Sequence, residues 1–358
     1  MKRIAALAAL LLIFSSACGS RPAQPAAPTT VGIPTTTEPP TTTEDPNPTA
    51  PPVPEDTPVT MKNNILIVGD RAMGGYGFDR TVNTNYTKLV NRFAEKYQDQ
   101  LRTSVILAPL PCEFYLPAGK SQSSSQKEAL AFIGGQLLDR VNFVNIYNTI
   151  VRHVTEYLYF RTDHHWTGLA AYYAYADYMR SLGLTAAPLE TYESYEHSPF
   201  LGSLYLWAGK PAVLKEHPDT CVVYRPLHGY EQTIYYNGLS RGASVMNMLG
   251  RSPEEFTGSE KYLAYAGGDP PYQKIITENK TGRNVLVFKE SFANAMLPFL
   301  VEHFEEIHVI DYRYFTDGSC DAIIRDNGIN EALFMHYIGA AGTGSNVVKL
   351  QKVLGVQY

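Results

Sequence analysis

The segment Thr162-Asp163-His164-His165-Trp166-Thr167 places one carboxylic acid and two imidazoles at three consecutive positions. A carboxylate can orient an imidazole, and an oriented imidazole can act as a general base toward a hydroxyl group. Asp163 and His165 are two residues apart, so both side chains can point into one site if they lie on a turn. The spacing therefore predicts acid–base chemistry at Asp163 and His165.

A candidate nucleophile, Ser291, lies much farther along the chain. The apolar run at 285–288 predicts a strand that continues through Lys289 and Glu290 into Ser291, and the residues from 293 onward are typical of a helix. A serine at a strand-to-helix turn occupies the place where α/β hydrolases hold their nucleophile. Asp163, His165 and Ser291 together have the composition of a catalytic triad.

Simpler interpretations exist for the same residues. Ser291 can be no more than a cap for the following helix. Asp163, His164 and His165 are all competent metal ligands. They can also be the capped start of a helix, with His164 solvated and Trp166 in the core. No further cluster with metal-ligand spacing lies nearby in the sequence, so we predict a triad that uses neither a metal nor a cofactor.

Other residues are predicted to stabilise an oxyanion beside Ser291. The positive end of the following helix and its free backbone amides, including that of Phe292, favour negative charge there. Gly268 and Asp269 belong to the turn Gly-Gly-Asp-Pro-Pro at 267–271, which can bring further backbone amides to the same place.

Arg313 follows the strand predicted after that of Ser291 and should emerge at the same sheet edge. A guanidinium there can bind an anionic substrate group or support the site. The alternative is a surface arginine that pairs with Asp311 or Asp317.

Strands and helices alternate around these residues, which predicts an α/β fold with a parallel sheet wrapped by helices. Apolar runs predict strands at 64–69, 103–110, 141–146, 284–288, 307–312 and 331–337. Helical periodicity predicts helices at 85–101, 126–138, 293–304, 321–327 and 347–354. Thr167 is a suitable N-cap for one more helix, which ends near Gly183. The region from 184 to about 282 is rich in Tyr, Gly and Pro, with strand-like stretches at 221–225 and 233–236, and is predicted to be a β-rich insertion.

The first 20 residues have the three parts of a secretory signal: basic Lys2 and Arg3, an apolar run at 4–14, and small residues up to Ala17. The sequence Ser-Ser-Ala-Cys-Gly at 15–19 resembles a bacterial lipobox, in which the cysteine is lipid-modified. An ordinary cleaved signal with an incidental cysteine is the alternative. We predict lipidation at Cys18, which would anchor the protein to the extracytoplasmic face of the cell membrane.

Residues 21–60 are dominated by Pro, Thr and Ala, and this composition predicts a disordered tether. The folded domain is accordingly predicted at 61–358. A formal net charge of −5 gives no basic surplus to attract nucleic acid. Cys112, Cys221 and Cys320 are widely spaced, which is typical of neither a disulfide framework nor a zinc ribbon. One disulfide with a free thiol and three reduced cysteines are both allowed.

Four landmarks in order give residues 61–358 a resemblance to a known family. They are Asn-Asn-Ile-Leu-Ile-Val-Gly-Asp at 63–70, Thr-Asp-His-His-Trp-Thr at 162–167, Lys-Glu-Ser-Phe at 289–292 and Ile-Asp-Tyr-Arg-Tyr at 310–314. The segment resembles the DHHW family of bacterial exported proteins, relatives of the SGNH-hydrolase-like O-acetyltransferases that act on alginate and peptidoglycan. The resemblance implies an SGNH-hydrolase-like, flavodoxin-like fold with a circularly permuted motif order, because Asp and His precede Ser.

The resemblance also implies roles for individual residues. Asp163 and His165 match the Asp-x-His pair, Ser291 matches the nucleophile, and Arg313 falls near an arginine of the acetyltransferase sites. Glu290 stands where the family usually has aspartate.

The implied function is that of an extracytoplasmic, lipid-anchored O-acetyltransferase or acetylesterase that acts through an acyl-serine. Its expected partners are a cell-surface polysaccharide or peptidoglycan and a membrane-bound acyltransferase that donates acetyl groups. Transfer and hydrolysis share every residue up to the acyl-enzyme, so the sequence leaves both open. It also leaves open a non-catalytic surface lipoprotein that keeps the fold and binds glycan.

Overall fold

The computed structural model describes residues 53–117, 120, 123–236, 238–239 and 242–358. The predicted signal, Cys18 and most of the predicted tether lie outside the described residues. The described end of the tether contacts the folded chain, since the Pro58 carbonyl accepts the Gly69 amide and the Glu55 carbonyl accepts the Lys120 ammonium. Among the described residues, no helix combines the length and apolarity that a membrane crossing requires.

An eight-stranded sheet forms the centre of the described chain. Its first five strands are parallel neighbours, in the order β5 (Val141–Val144), β4 (Arg102–Ala108), β13 (Glu331–Tyr337), β11 (Asn284–Lys289) and β12 (Glu306–Asp311). Three antiparallel strands then extend it: β10 (Tyr272–Thr277), β8 (Tyr230–Tyr235) and β9 (Ser244–Val245). The parallel strands are almost entirely buried, as expected of a sheet covered on both faces.

Helices cover both faces of the parallel strands. Val285 and Val287 of β11 pack into the apolar cluster that contains α4 (Gly168–Ser181). The intervening Leu286 and Phe288 pack on the other side, with α1 (Arg80–Lys96) and α10 (Gly344–Leu354). This alternation follows from the two-residue period of a strand.

The remaining helices are short. The α-helices are α2 (Gln126–Gly134), α3 (Tyr147–Arg152), α5 (Ser203–Trp207), α6 (Ala212–Glu216), α7 (Leu297–Leu300), α8 (Asp321–Asp326) and α9 (Ile338–Ala341). Turns of 3-10 helix cover Pro111–Glu113, Leu189–Thr191, Pro253–Glu255, Gly258–Tyr265 and Ser291–Ala295.

The first predicted strand does not belong to the central sheet. Ile65–Val68 is β2, which pairs antiparallel with β1 (Val59–Lys62) and β3 (Arg71–Met73) in a separate three-stranded sheet. Asn63 and Asn64 both have positive φ, 49° and 63°. A two-residue turn of this kind joins antiparallel strands. The prediction of a buried parallel strand at 64–69 is therefore wrong, because the asparagine pair closes a hairpin.

The prediction of a long helix at 293–304 is also wrong. A 3-10 turn at Ser291–Ala295 is followed by the four-residue helix α7. Pro298 has no amide hydrogen and cannot continue a helix that starts near Ser291, although it fits the first turn of a new one. Ser291 therefore lacks the long helix whose positive end was expected to favour an oxyanion.

The predicted β-rich insertion contributes to two sheets. β6 (Ser194–Phe200) and β7 (Asp219–Tyr224) pair with each other in a two-stranded sheet. β8, β9 and β10 instead extend the central sheet. The insertion thus packs beside the parallel strands and supplies several side chains to the site described below.

All three described cysteines are buried free thiols, so of the two possibilities left by the sequence the structure has three reduced cysteines. Burial raises the pKa of the Cys112 thiol to about 11. The same cause raises the pKa values of Cys221 and Cys320 to about 12. Thiols in such surroundings stay protonated and unreactive near neutral pH.

The central strand β11 should be sensitive to loss of volume. We expect Leu286→Ala, at a fully buried position, to lower the free energy of unfolding by about 2–5 kcal/mol, because it leaves a cavity in the core. Leu227→Ala is the matched control, since Leu227 is 40 % exposed. Urea denaturation measures both variants, and an equal, small loss for the two would contradict the assigned core.

Candidate active site

The segment that carries Asp163 and His165 is a tight turn. Tyr159 and Trp166, on either side of it, form an isolated antiparallel bridge. Thr167 caps the N-terminus of α4 with its hydroxyl. Asp163 and His165 therefore precede the helix, and the turn lets both side chains reach the same site, as their spacing predicts.

Asp219 of β7 holds this turn in place. Its fully buried carboxylate accepts the backbone amides of Arg161 and Thr162, at 2.6 and 2.7 Å, and the Thr162 hydroxyl at 2.5 Å. The Tyr157 hydroxyl donates to the same carboxylate. Burial raises the pKa of Asp219, and these hydrogen bonds offset part of that rise. The insertion thus fixes the backbone just before Asp163.

Asp163, His165 and Ser291 are brought together in a line of hydrogen bonds. His165 Nδ1 lies 2.6 Å from Asp163 Oδ1, and His165 Nε2 lies 2.8 Å from Ser291 Oγ. The three residues are only 3, 6 and 8 % exposed. Contacts of this length are those required of a nucleophile, its base and the group that orients the base.

The ionisation state of Asp163 decides which nitrogen of His165 carries the ring proton. Burial opposes ionisation of Asp163, but the neighbouring His165 and His164 and the Ser203 amide outweigh it and hold its pKa well below the usual range. An ionised carboxylate can only accept hydrogen bonds. We therefore assign the ring proton of His165 to Nδ1, which leaves Nε2 free to accept the Ser291 hydroxyl.

Gly202 and Ser203, from the insertion, fit closely around Asp163. The Ser203 amide donates to Asp163 Oδ2 at 2.9 Å. A Cβ added to Gly202 would lie 2.3 Å from Asp163 Cβ and 2.5 Å from its Oδ2. Only glycine leaves room for the carboxylate at this position.

Glu290 organises the turn that presents Ser291. It is buried, and its two carboxylate oxygens accept the amides of Phe292, at 3.1 Å, and Tyr337, at 2.8 Å. Burial raises the pKa of Glu290 to about 7, against the opposing effect of these amides and of Arg313. The Phe292 amide, predicted as an oxyanion donor, is thus already bonded to Glu290 in this structure, and its role stays a prediction.

Aromatic side chains form the walls of the site. The ring of Tyr262 stacks on the His165 imidazole, with centroids 3.7 Å apart and planes 6° from parallel. The Tyr262 hydroxyl also donates to the Ser291 carbonyl at 3.0 Å. Trp166 Nε1 donates to the Phe292 carbonyl at 2.8 Å. Tyr262 therefore contacts both the His165 ring and the backbone of Ser291.

Four charged groups lie beside the serine turn. The fully buried Lys289 ammonium lies 2.6 Å from Asp269 and 3.2 Å from Asp311. Arg313 Nη2 lies 2.9 Å from Asp269 and 2.7 Å from Asp311. Asn294, three residues after Ser291, donates to Asp269 at 2.9 Å. The cluster contains two cations and two anions, and it connects to the serine turn through Asn294.

These contacts locate the remaining predicted residues. Arg313 pairs with Asp311, one of the two partners that the sequence suggested, and also with Asp269. Burial opposes ionisation of Asp269, but Lys289 and Arg313 keep its pKa well below the usual range. The Gly268 carbonyl faces Lys289 Nζ at 3.5 Å. Roles for Arg313, Gly268 and Asp269 toward a substrate stay predictions.

The metal alternative concerns the same turn. Ligating atoms of Asp163, His164 and His165 lie within 4.8 Å of one another. They are engaged within the protein, because His164 Nδ1 lies 2.5 Å from Ser203 Oγ and both His165 nitrogens are hydrogen-bonded. Burial and the neighbouring His165 lower the pKa of His164 to about 3. Metal capture through His165 would replace one of its hydrogen bonds to Asp163 and Ser291.

Several supporting residues were not predicted from the sequence. Gly202, Ser203, Asp219 and Tyr262 come from the insertion, where no periodic pattern indicated which side chains turn inward. Lys289 had a signal, since a lysine at the end of an apolar strand must find an anionic partner when buried.

Comparisons with known proteins agree with this architecture. The family model described as DHHW protein matches residues 56–310. A crystal structure of a DHHW family protein from Eubacterium siraeum superposes with a TM-score of 0.75 at 30 % identity, covering 84 % of this chain and 99 % of that one. Bacillus cereus PatB1, solved with a sulfonyl adduct, superposes with a TM-score of 0.65 at 18 % identity, covering 83 % and 99 %. The O-acetyltransferase domain of Pseudomonas putida AlgJ is more distant, with a TM-score of 0.44 at 11 % identity and coverage of 82 % and 99 %. No curated protein matches the sequence significantly.

The predicted α/β, SGNH-hydrolase-like fold is confirmed, and so is the resemblance on which it was based. The likeness to PatB1, at 18 % identity, concerns the fold.

The close fit at Gly202 can be tested by adding one methyl group. We expect Gly202→Ala to displace the Asp163 carboxylate and to slow the reaction of Ser291 with a serine-directed probe by about 100-fold, since misplacement by 1 Å is enough for such a loss. Gly77→Ala is the control, because a Cβ there meets no atom within 4 Å. Equal labelling rates for the two variants would contradict this account of the site.

The raised pKa of Glu290 gives a second test. The folded chain holds this proton more tightly than the unfolded chain, so its contribution to stability is complete below pH about 4.5 and is lost as the pH rises through about 7. Glu290→Gln has no such proton. We therefore expect the free energy of unfolding of the wild type, relative to Glu290→Gln, to fall across this window.

Urea denaturation at several pH values measures that difference. Glu254→Gln, at an exposed glutamate, should instead run parallel to the wild type. Parallel curves for Glu290→Gln would show that Glu290 has an ordinary pKa.

Proposed function

We propose that this chain, which belongs to the DHHW family, is a serine-dependent O-acetyltransferase or acetylesterase that acts on a glycan of the cell envelope. The observation that carries the proposal is the buried line from Asp163 through His165 to Ser291, with contacts of 2.6 and 2.8 Å. An acid, a base and a nucleophile in this arrangement suit acyl transfer through a covalent intermediate.

In the first half-reaction, Ser291 Oγ attacks the carbonyl carbon of the acetyl donor while its proton passes to His165 Nε2. The Asp163 carboxylate stabilises the imidazolium that forms, which is the function of the buried acid in a triad. The tetrahedral intermediate then releases the donor oxygen, which takes the proton from His165. Acetyl-Ser291 remains.

In the second half-reaction, a sugar hydroxyl or a water molecule attacks the acetyl-serine and gives its proton to His165. Return of that proton to Ser291 Oγ releases the product and restores the enzyme. Transfer and hydrolysis differ only in the attacking hydroxyl, so the outcome depends on how well a bound glycan excludes water.

The proposed location, outside the cytoplasm and at the membrane, is inferred from the predicted signal sequence and tether. Lipidation at Cys18 and the Pro/Thr-rich tether would hold the domain on the extracytoplasmic face of the membrane, within reach of peptidoglycan or surface polysaccharide. A membrane-bound acyltransferase is the proposed acetyl donor, because an extracytoplasmic enzyme has to receive its acyl group across the membrane.

A serine-directed reagent tests the nucleophile. A sulfonyl adduct has been observed in PatB1, so a sulfonyl fluoride and a fluorophosphonate are suitable probes. We expect labelling of the wild type, none in Ser291→Ala, and a rate at least about 100-fold lower in His165→Ala, because the base is lost. Ser345→Ala, at an exposed serine of α10, is the matched control.

Peptide mapping of the label gives the decisive result. A wild type that does not label, or a Ser291→Ala variant that labels normally, would favour the non-catalytic glycan-binding alternative. If Ser291 does label, an acetyl ester supplied with and without an oligosaccharide distinguishes a transferase from an esterase.

A further inference from the structure

Four aromatic side chains are largely exposed in the described part of the chain, namely Trp207, Tyr236, Tyr314 and Tyr358, at 54, 48, 50 and 47 %. Trp207 stacks on His164 of the candidate active site, and Tyr236 and Tyr314 line a depression together with Asp269. Such a concentration of exposed aromatic surface around one site calls for a ligand that binds to flat apolar faces.

Trp207 lies on one side of the triad. Its ring stacks on His164, with centroids 5.0 Å apart and planes 28° from parallel. His164 in turn lies 3.7 Å from the ring of His165, which bonds Ser291. The contact of His164 with Ser203 fixes the orientation of the middle ring. Trp207 therefore extends a continuous row of rings from the catalytic base to the surface.

Tyr314 and Tyr236 lie next to the charged cluster, because they share a depression with Asp269. With Asp269, Pro270 and Pro271 they line an open depression of about 460 Å³. Asp269 connects this depression to the serine turn through its 2.9 Å contact with Asn294. The Arg313 guanidinium lies 5.1 Å from the centre of the Tyr314 ring. The depression is thus linked through Asp269 and Asn294 to the turn that carries Ser291.

The charges between the two aromatic patches are compensated. Lys289 and Arg313 each contact both Asp269 and Asp311. His164 is neutral at ordinary pH, because burial keeps its pKa near 3. Both cations of this cluster are therefore already paired with carboxylates and are not free to neutralise a row of sugar carboxylates. A polyuronate would have to compete with Asp269 and Asp311 for the same two cations.

From these contacts we propose that a neutral hexose or N-acetylhexosamine chain lies across the site, stacked on Trp207 at one end and on Tyr314 and Tyr236 at the other. The apolar faces of sugar rings pack on aromatic rings, and the row of His164 and Trp207 provides such a face directly beside the base. The acceptor hydroxyl then sits between the patches, at Ser291. This inference rests on the proposed function and names its substrate class.

Binding is measured in the full chain carrying Ser291→Ala, so that no turnover occurs. The ligands are a β-1,4-linked N-acetylglucosamine hexamer and a uronate hexamer of equal length, titrated by calorimetry. We expect the neutral hexamer to bind more tightly, and both Trp207→Ala and Tyr314→Ala to raise its Kd at least tenfold. Tyr358→Ala is the matched exposed-aromatic control. An unchanged Kd in both variants, or tighter binding of the uronate, overturns the proposal.

Tryptophan fluorescence gives a second readout, in which Trp207 keeps an aromatic side chain instead of being truncated to alanine. The chain has two tryptophans, and Trp166 is fully buried. We expect the neutral hexamer to shift the emission of the Ser291→Ala chain and expect Trp207→Phe to remove that shift, since only Trp207 is exposed to ligand. A shift that persists in Trp207→Phe contradicts the stacking.

The acyl-transfer proposal and the aromatic binding path can be refuted independently of each other. Labelling of Ser291 without any binding of the neutral hexamer would refute the aromatic path and leave the acyl-transfer proposal standing. Binding that depends on Trp207, in a chain whose serine does not label, would refute the enzyme and leave the glycan site. If Trp207→Ala weakens binding to a purified acyltransferase partner but leaves binding of the hexamer unchanged, this surface is a protein contact and not a glycan site.

Discussion

Asp219 brings the carboxylate of a strand in the insertion against the backbone of residues 161 and 162, where it accepts hydrogen bonds from two amides and a threonine hydroxyl. The next residue is Asp163. Because the Asp219 carboxylate is buried and almost saturated with donors, the turn has little freedom to rotate. The positions of Asp163 and His165 relative to Ser291 depend on this contact, since the serine comes from a strand far away in sequence.

The site gathers parts that differ in how strongly the sequence indicates them. The meeting of Asp163, His165 and Ser291 could be predicted from the two-residue spacing of the first pair and from the position of the serine after an apolar strand. The cap at Thr167 and most elements of the parallel sheet were equally clear, since each has a local cause. The hairpin at Asn63 and the broken helix at Pro298 differ from the predictions, because turn and proline chemistry outweigh apolar periodicity at these two positions.

The supporting residues could not be predicted for a different reason. Asp219, Gly202 and Tyr262 reach the site through long-range packing of an irregular region. The sequence of that region lacks the apolar periodicity that would show which side chains face inward. The contacts of Glu290 could not be predicted from the sequence either. Its side chain reaches both the Phe292 and the Tyr337 amides, a link between two parallel strands that depends on their register and not on any nearby residue.

The three cysteines of the described residues affect how the folded part of the chain can be made and handled. Their sulfur atoms are buried, unpaired and far from ionising, so the described domain reaches its folded state without any oxidative step. The described part of the chain therefore does not require a thiol oxidase to reach this fold. Reducing agents in a buffer should accordingly leave its architecture intact, and production in a reducing cytoplasm is chemically compatible with the fold.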